Sequence, residues 1–364
     1  MAVTLVRDGL RVQQWDDNFF VEFIRMNKFA PYMGTSDGSI IHIKEDLERK
    51  AGDSMTWQMI RRLQNNATRG AVTLSGNEER LDNRSQRIYV ELIRNGVSID
   101  TRTEQIKTDI DLRNAARSAL RKWAMDTFRN DLIAAFMSID GVAFGTATAA
   151  QRNTWLTNNS DRVLFGATKS NASSNVWATA AATIDATNDK LTTSAISLMK
   201  RIAKSADPYI TPVTVKNDEE WFVLFAPTAH FRDLQGDTAM QSANRDARVR
   251  GVDNPLFTGG DLIWDGVIIK EIEQIPVQAD LGSGGTVDIA PAFFCGTQAI
   301  GLAYAQRTRS IEDTPIDYGR ILPIGIEDIR GLQKLRFGTD ATTDTTSPKD
   351  WGMVTFWGSA EPDA

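Results

Sequence analysis

The chain has 364 residues, of which 41% are hydrophobic and 24% are charged, and its formal net charge is −6. This composition is typical of a globular protein and excludes a disordered one. The sequence contains no apolar run near the roughly 18 residues of a membrane span, which argues against an integral membrane protein. A charge near the amino terminus interrupts the apolar core that a signal peptide requires, so we expect a cytoplasmic protein.

The charge is distributed unevenly along the chain. Residues 1–130 contain 21 Lys and Arg against 18 Asp and Glu, whereas the remaining residues contain 20 against 29. Proteins that bind DNA through its phosphates usually carry a basic domain or stripe, because counterion release by Lys and Arg supplies much of the affinity. No such segment is visible in the sequence. A nucleic acid partner would therefore be enclosed by the protein rather than bound through its phosphates.

Residues 1–50 are predicted to form an amino-terminal arm rather than a domain. Apolar residues recur there with helical spacing, at Trp15, Phe19, Phe20, Phe23 and Ile24. Pro31 and Gly34 interrupt this pattern. Residues 44–50 are highly charged and favour a short helical patch.

Residues 51–100 have the pattern of a long β-hairpin. Apolar residues alternate with polar ones in two stretches, at Met55, Trp57 and Met59 and again at Ile88, Val90 and Leu92. The segment between these stretches is polar and charged. A hairpin with so little apolar surface is marginally stable alone, so we expect it to lie against another element.

The strongest helical pattern extends from about residue 109 to residue 138. This stretch contains no Gly or Pro, begins with aspartates, and carries one apolar stripe, formed by Leu112, Ala116, Ala119, Leu120 and Trp123. At 1.5 Å per residue the helix would be about 45 Å long, far above the mean of about 11–12 residues. Apolar residues on further faces from Met125 onward predict that several elements cover its second half.

The rest of the chain predicts a compact α/β domain preceded by irregular structure. Residues 141–190 are rich in Ala, Thr, Asn and Ser, a composition typical of a loop or insertion. Amphipathic helices are expected over 192–206 and around 229–240. Strands buried on both faces are expected over 221–226, 262–269 and 293–304, and a final strand over 351–358.

The sequence contains no constellation of catalytic, cofactor-binding or metal-ligating residues. His42, His230 and Cys295 are too few for the usual zinc site with four nitrogen or sulfur ligands. Cys295 lies in an apolar string and is interpreted as a small core residue. Ser197 and Lys200 match an S-x-x-K pattern but lack its companion motifs, so the match is attributed to chance. We therefore predict a protein that is not an enzyme and has no cofactor.

Four segments carry a resemblance to a known family through their order and spacing. They are VTLSGNEERLDNRSQRIYVELIRNGVSID at 72–100, WLTNNSDRVLFG at 155–166, FTGGDLIWDGVIIKEIEQIP at 257–276 and FFCGTQAIGLAYAQRT at 293–308. Together they resemble the major capsid proteins of tailed bacteriophages with the Hong Kong 97-type fold.

This resemblance implies an α+β fold with a defined division of the chain. An amino-terminal arm would occupy residues 1–50, and an extended loop formed by the β-hairpin would occupy 51–103. A peripheral domain, containing a long spine helix at about 109–138, would comprise 104–185 and 306–364. An axial α/β domain would comprise 190–305.

The resemblance also implies a structural role and a set of partners. Copies of the chain would assemble into hexamers and pentamers of an icosahedral shell that encloses double-stranded DNA without sequence-specific binding. Residues 1–50 are too short to hold the scaffolding domain of some relatives, so a separate scaffolding protein and a portal are expected. No membrane partner is expected. The shell would be assembled in the host cytoplasm and form the virion capsid.

Charged residues of the loop and of the spine helix are candidates for contacts between subunits. A hairpin lying over a neighbour's spine helix would bury its few apolar residues there and pair its charges. The helix arginines, at i, i+4 spacing, also suit a solvated basic edge, or a contact that faces an enclosed polymer. The candidate interface residues are Arg61, Arg62, Arg69, Glu78, Glu79, Arg80, Asp82, Arg84, Arg87, Arg113, Arg117 and Arg121.

Two alternatives fit the same sequence. The first is a bacterial nanocompartment shell of the same fold, which encloses protein cargo instead of DNA. The second is a soluble α/β hydrolase with an oxygen-based site in the 190–305 domain, for which the acidic residues near predicted strand ends would supply carboxylates.

Residues 51–106 contain no lysine. The Hong Kong 97 phage joins its subunits covalently through a lysine of the extended loop, and this chain lacks the amine for that bond. We predict that shells of this protein contain no lysine isopeptide bond from the loop. Shells boiled in denaturant should migrate on a gel as a single monomer band, and a ladder of covalent oligomers would contradict the prediction.

Overall fold

The computed structural model describes residues 28–45, 52–100, 112–215, 219–246, 262–312, 314–338 and 347–361. The apolar pattern predicted at residues 15–24 and the aspartates predicted to begin the spine helix lie outside these ranges. Lys44, expected to open a helical patch, instead ends a strand, and most of that patch also lies outside the described ranges. Within them, none of the helices is both long and apolar enough to cross a membrane.

The described residues contain six α-helices, of which the first is the predicted spine helix. In chain order the helices are α1 (Leu112–Met137), α2 (Ala149–Asn158), α3 (Trp177–Ala181), α4 (Thr193–Ser205), α5 (Thr228–Gly236) and α6 (Thr238–Asp246). Short 3-10 turns lie at Ala30–Tyr32, Lys169–Ala172 and Ser283–Gly285. Thr148 begins α2 with a capping box, in which its hydroxyl accepts a hydrogen bond from the amide of Gln151 at 3.3 Å.

The strands are short except for two that run through the middle of the molecule. In chain order the strands are β1 (Met33–Gly34), β2 (Ile41–Lys44), β3 (Ser54–Ile60), β4 (Asn83–Tyr89), β5 (Glu91–Asp100), β6 (Val163–Phe165), β7 (Val213–Val215), β8 (Glu219–Ala226), β9 (Leu262–Trp264), β10 (Val267–Glu271), β11 (Ile289–Cys295), β12 (Ile300–Glu312), β13 (Ile321–Lys334), β14 (Arg336–Phe337), β15 (Lys349–Asp350) and β16 (Met353–Ser359).

A five-stranded sheet has the order β1-β2-β12-β13-β5. Its two long strands pair antiparallel from Ile300 opposite Lys334 to Glu312 opposite Ile324, with register shifts in between. The edge strand β5 pairs antiparallel with β13 over its whole length. Because β12 pairs with β2 in parallel, the segment after residue 28 is tied into the same sheet.

A seven-stranded sheet has the order β6-β16-β11-β8-β10-β9, with β7 added on β8. Every residue of β11 and of β16 is buried, as expected of strands covered on both faces. Helices α4, α5 and α6 cover one face, through residues such as Met199, Phe231 and Met240. The spine helix and the segment around Phe29 cover part of the other face.

The spine helix packs on two different surfaces along its length. In its first half Ala116, Leu120 and Ala124 contact Ile324 and Ile326 of β13. In its second half the apolar residues enter the main core, where Phe136 stacks on Phe293 with ring centroids 5.2 Å apart. This confirms the predicted change in covering from one half to the other. Ala119, predicted to lie on the buried stripe, is exposed, since successive helical residues are rotated by about 100°.

Residues 141–190 are not the loop that their composition predicted. Their large side chains form core, and Trp155, Phe165 and Trp177 are each at most 3% exposed. The alanines that suggested a loop are small residues packed closely between these rings, as Ala180 and Ala181 show by their burial. Composition was a poor guide because the four aromatic residues of this segment, Phe144, Trp155, Phe165 and Trp177, are all buried and supply the packing.

Two predicted strands are each divided in the structure. Residues 262–269 form the hairpin β9-β10, whose turn places Asp265 at φ 48° and Gly266 at φ 72°. Residues 293–304 form the end of β11 and the start of β12, which belong to different sheets. The chain therefore crosses from one sheet to the other between Cys295 and Ile300. Cys295 itself is buried, as predicted, and burial raises the pKa of its thiol.

The other predicted elements of this region are closer to the structure. Helix α4 and strand β16 confirm the predictions at 192–206 and 351–358. The helix predicted around 229–240 is two helices, because Asp237 between them is extended and accepts hydrogen bonds from the amides of Thr193 and Ala239. The seven-stranded sheet also takes β6 and β16 from outside residues 190–305.

A buried ion pair lies where the two sheets meet. Lys334 at the end of β13 donates to Asp350 of β15 at 2.9 Å, and both side chains are 2% exposed. Asp350 also accepts from the indole N–H of Trp155 at 3.1 Å, and its backbone amide donates to Asn159 at 2.7 Å. Its backbone carbonyl accepts from the buried Arg162. The segment that begins at residue 155 is therefore a structural joint between the sheets.

We predict that replacing Asp350 by Ala lowers the free energy of unfolding by about 3–5 kcal/mol, because Lys334 then remains buried without its counter-ion. The measurement is urea unfolding of the purified subunit. Glu220→Ala is the matched control, since it breaks an exposed ion pair with Lys204 and should cost only about 0–1 kcal/mol. Equal losses in the two variants would show that burial does not govern the Lys334 pair.

Candidate subunit interface on the extended loop and the spine helix

The base of the extended loop is a two-stranded ribbon that lies on the five-stranded sheet. Strands β3 and β4 pair antiparallel, from Ser54 opposite Tyr89 to Ile60 opposite Asn83. The second predicted strand ends earlier than expected, because residues from Glu91 onward belong to the edge strand β5. The alternating apolar residues of the ribbon are packed on the same chain, in a cluster of Met55, Trp57, Met59, Ile88, Ala303, Leu335 and Phe337. The expectation that a neighbouring subunit buries them is therefore wrong.

Two glycines of the sheet allow the ribbon to approach it closely. A Cβ atom on Gly301 would lie 2.6 Å from Cδ1 of Ile88, and one on Gly331 would lie 2.1 Å from the carbonyl oxygen of Tyr89. Because the contact at Gly331 is with backbone, any larger residue there would force the ribbon away from the sheet. At Gly301 the side-chain ends of Ile88 and Leu335 would have to move.

Polar contacts fix the ribbon on the amino-terminal segment. The indole N–H of Trp57 donates to Nδ1 of His42 at 3.1 Å, and the ammonium of Lys44 donates to the carbonyl of Thr56 at 2.8 Å. Lys44 also lies 4.9 Å from the Trp57 ring centroid. Burial lowers the pKa of His42, which favours the neutral imidazole that can accept the bond from Trp57.

The start of the irregular part of the loop is tied to the residues that follow α4. Arg61 forms an ion pair with Asp207, and the side-chain amide of Gln64 donates to the same carboxylate at 3.0 Å. The guanidinium of Arg62 lies 5.6 Å from the ring centroid of Tyr209. These contacts fix the position at which the irregular part of the loop begins. The sequence did not indicate Asp207 or Tyr209 as partners, because they are distant in the chain.

Several of the predicted charges are used inside the loop. The carboxylate of Glu79 accepts hydrogen bonds from the amides of Gln64 and Asn65, each at 2.7 Å. Glu78 accepts from the amide of Gly76 at 2.7 Å, and Asp82 pairs with Arg84 at 3.0 Å. Five of the predicted charged residues of the loop are exposed, namely Arg62, Arg69, Glu78, Arg80 and Arg87.

The loop also exposes aliphatic residues that the sequence analysis did not single out. These residues are between 51% and 62% exposed, and they are Ile60, Leu63, Val72, Leu74 and Leu81. Their spacing follows neither the period of a strand nor that of a helix, so the apolar periodicity of the sequence does not indicate them. Aliphatic residues concentrated on one projecting loop are an available surface for a protein contact.

The three helix arginines differ in their surroundings. Arg113 and Arg117 both form ion pairs with Glu312 at the end of β12. Burial alone would raise the pKa of Glu312, but the two guanidiniums lower it overall. Arg121 is half-buried on the next turn. Arg113 and Arg117 therefore share one carboxylate of the same chain, which lowers the positive charge that this face presents.

The loop base and the spine helix lie on opposite faces of the five-stranded sheet. Arg330 of β13 contacts the helix, since its guanidinium pairs with Asp131 at 2.5 Å and lies 4.9 Å from the Phe128 ring centroid. The next residue, Gly331, faces Tyr89 of the ribbon. Successive residues of a strand point to opposite faces, so the two predicted halves of the interface are separated by the sheet within one chain.

The sequence profile of the phage capsid protein family matches residues 3–360 of the chain. The chain belongs to the phage capsid protein family. Its sequence is 27% identical over 369 residues to the major capsid protein of Pseudomonas phage KPP25, covering 96% of this chain and 94% of that protein.

Solved capsid structures of other phages are similar to the structure of this chain. The capsid of cyanophage Pam1 matches with a TM-score of 0.83 and 35% sequence identity, over 100% of both chains. The capsid of Ralstonia phage GP4 matches with a TM-score of 0.69 and 23% identity, over 92% of this chain and 90% of that one, and shows a common fold.

These matches confirm the predicted α+β fold of the Hong Kong 97 type and the predicted structural role. This phage capsid protein associates with copies of itself into the shell of a virion. The matches to phage capsid proteins favour this structural role over the two alternatives, a nanocompartment shell and a soluble α/β hydrolase. The candidate interface residues stay a prediction, with the intrachain contacts described above.

We predict that replacing Asp207 by Asn loosens the start of the loop without unfolding the subunit. The lost ion pair is partly exposed, so the global free energy of unfolding should fall by about 1 kcal/mol or less. Trypsin cleavage after Arg62 and Arg69 should accelerate several-fold, since 1 kcal/mol of local opening is a factor of about 5.

The matched control for this variant is Asp317→Asn, which breaks a similarly exposed pair with Arg320 at the turn between β12 and β13. It should leave cleavage in the loop unchanged. Equal loop cleavage in the Asp207 variant and in the wild-type chain would mean that Asp207 does not hold the loop.

Proposed function

We propose that this phage capsid protein assembles into the hexamers and pentamers of an icosahedral shell through its extended loop. The loop of one subunit lies over the spine-helix side of the next. The observation that carries this proposal is the group of exposed aliphatic residues on the loop, which includes Leu63, Leu74 and Leu81. Because the loop base and the helix occupy opposite faces of one sheet, a contact between loop and helix requires two copies.

The apolar residues of the loop contribute more to this contact than its charges. Full burial of an exposed aliphatic side chain stabilises a complex by about 1.5–3 kcal/mol, and these five residues start about half exposed or more. An exposed ion pair contributes about 0–1 kcal/mol. Several loop charges are already paired within the loop, so their part in the interface is to fix orientation rather than to supply affinity.

The shell encloses packaged double-stranded DNA without sequence-specific contacts. The supporting observation is the net charge of −6, with the acidic excess in residues 131–364. A lining that bound phosphates tightly would hinder packing and release of the DNA. Nuclease-resistant DNA in purified particles is the expected result, and particles filled with protein cargo instead would contradict this part of the proposal.

The proposed division of the chain follows the two sheets. The arm comprises residues 1–50 and the loop 51–103. The peripheral domain comprises 104–185 and 306–364, and the axial domain 190–305, with β6 and β16 crossing into the axial sheet. The protein acts with a separate scaffolding protein and a portal, has no enzymatic activity and no membrane partner, and assembles in the host cytoplasm.

We predict that Leu74→Ser with Leu81→Ser abolishes shell assembly while the subunit stays folded, because both side chains are exposed in the single chain. Arg80→Glu with Arg84→Glu should impair assembly less, since Arg84 is already paired with Asp82. Assembly is measured by electron microscopy and size-exclusion chromatography, and folding by circular dichroism.

A matched control is Val176→Ser, which changes an aliphatic residue that is 38% exposed outside the loop. It should assemble normally. Wild-type assembly of the double leucine variant would remove the loop's aliphatic residues from the interface and would overturn the proposed contact.

A further inference from the structure

Among the described residues, helices α4, α5 and α6 cover most of one face of the seven-stranded sheet, and the other face is covered less extensively. On the partly covered face, Phe29 and Tyr32 pack against Phe225, with ring centroids 4.9 and 5.4 Å away. Toward the edge of the sheet this covering decreases, from the buried Val223 to the half-buried Ile268. Ile263 on the edge strand β9 is 45% exposed.

The uncovered part forms an apolar groove, which we call the edge groove, with a volume of about 470 Å³. The register aligns Ile263 with Ile268 and Ile268 with Val223, so one apolar row crosses three strands. Trp221 lies two residues before Val223 on the same face of β8, and its indole N–H donates to Glu219 at 3.2 Å. Tyr32, Met33 and Val213 form other parts of the wall. The volume falls within the range of about 300–1,000 Å³ that is typical of binding pockets.

We propose that the edge groove is the docking site of the chain's own amino-terminal segment, residues 1–27. The first described residue, Lys28, contacts the end of β10, a strand that lines the groove. Its ammonium donates to the carbonyl of Glu271 at 3.2 Å and pairs with Glu273 at 3.0 Å. Glu271 ends β10, and Ile268 of the groove is three residues earlier on that strand, or about 10 Å away.

The sequence of the segment matches the chemistry of the groove. Large apolar residues are spaced as on one helical face, and they are Trp15, Phe19, Phe20, Phe23 and Ile24. Phe20 to Phe23 precede Lys28 by five to eight residues, and an extended chain of that length is longer than 10 Å. The segment thus offers an aromatic surface within reach of an apolar groove that the described chain leaves open.

Covalent attachment favours the chain's own segment over a segment of a second copy. A short tether gives the segment an effective concentration in the millimolar range at the groove. A second copy would have to compete with this local concentration.

The test is cross-linking of the full-length subunit before assembly. A chain with Phe20→Cys and Ile263→Cys is treated with a short bismaleimide, and the peptides are mapped by mass spectrometry. Cys295 is buried and does not react. We expect an intrachain link between positions 20 and 263. The control pairs Phe20→Cys with Val176→Cys, which is of similar exposure but lies outside the groove, and it should give no such link.

Cross-linked dimers in place of the intrachain product would show that a second copy fills the groove, and would overturn the proposal. The absence of any link from cysteines placed in turn at positions 19, 20 and 23 would also overturn it.

A second measurement does not depend on the register of the segment. The thiol of Ile263→Cys should react several-fold faster with an aromatic disulfide reagent when residues 1–27 are deleted. The thiol of Val176→Cys should react at the same rate in both backgrounds. An unchanged rate at position 263 would show that the segment does not cover the groove.

Discussion

The buried ion pair between Lys334 and Asp350 is the constraint on which the rest of the subunit depends. Lys334 ends the longest strand of one sheet, and Asp350 lies just before the last strand of the other. A buried charge without its partner is strongly destabilising, so the two sheets must keep their relative position. Trp155 and Arg162 close the same joint through their hydrogen bonds to Asp350, so the segment that carries them has a structural role.

The fixed joint gives the five-stranded sheet two functional faces. The spine helix binds one face through Phe128 and Arg330, while the loop ribbon binds the other across Gly301 and Gly331. The alternation of side chains along β13 thus separates the two elements by the thickness of one sheet. The loop contact proposed above would therefore be incomplete in a single subunit and would form only between copies.

Elements with strong local patterns could be predicted from the sequence, and elements defined by distant contacts could not. The ribbon at 54–60 and 83–89, the spine helix, and the final strand follow their apolar periodicity. The division of 293–304 between two sheets has no local signal, because both halves are buried and apolar. In the candidate site, the charges of Arg113 and Arg117 were visible in the sequence. Their partner Glu312 was not, because it is about 200 residues away in the chain and only the fold brings it close.

The hydrogen bonds of Glu79 have a consequence for the kinetics of association. Its carboxylate holds the amides of Gln64 and Asn65, so an otherwise irregular loop has a defined shape before it meets another molecule. Preorganisation of this kind reduces the conformational entropy lost on binding. In the loop contact proposed above, a misplaced copy could leave again without having to refold its loop.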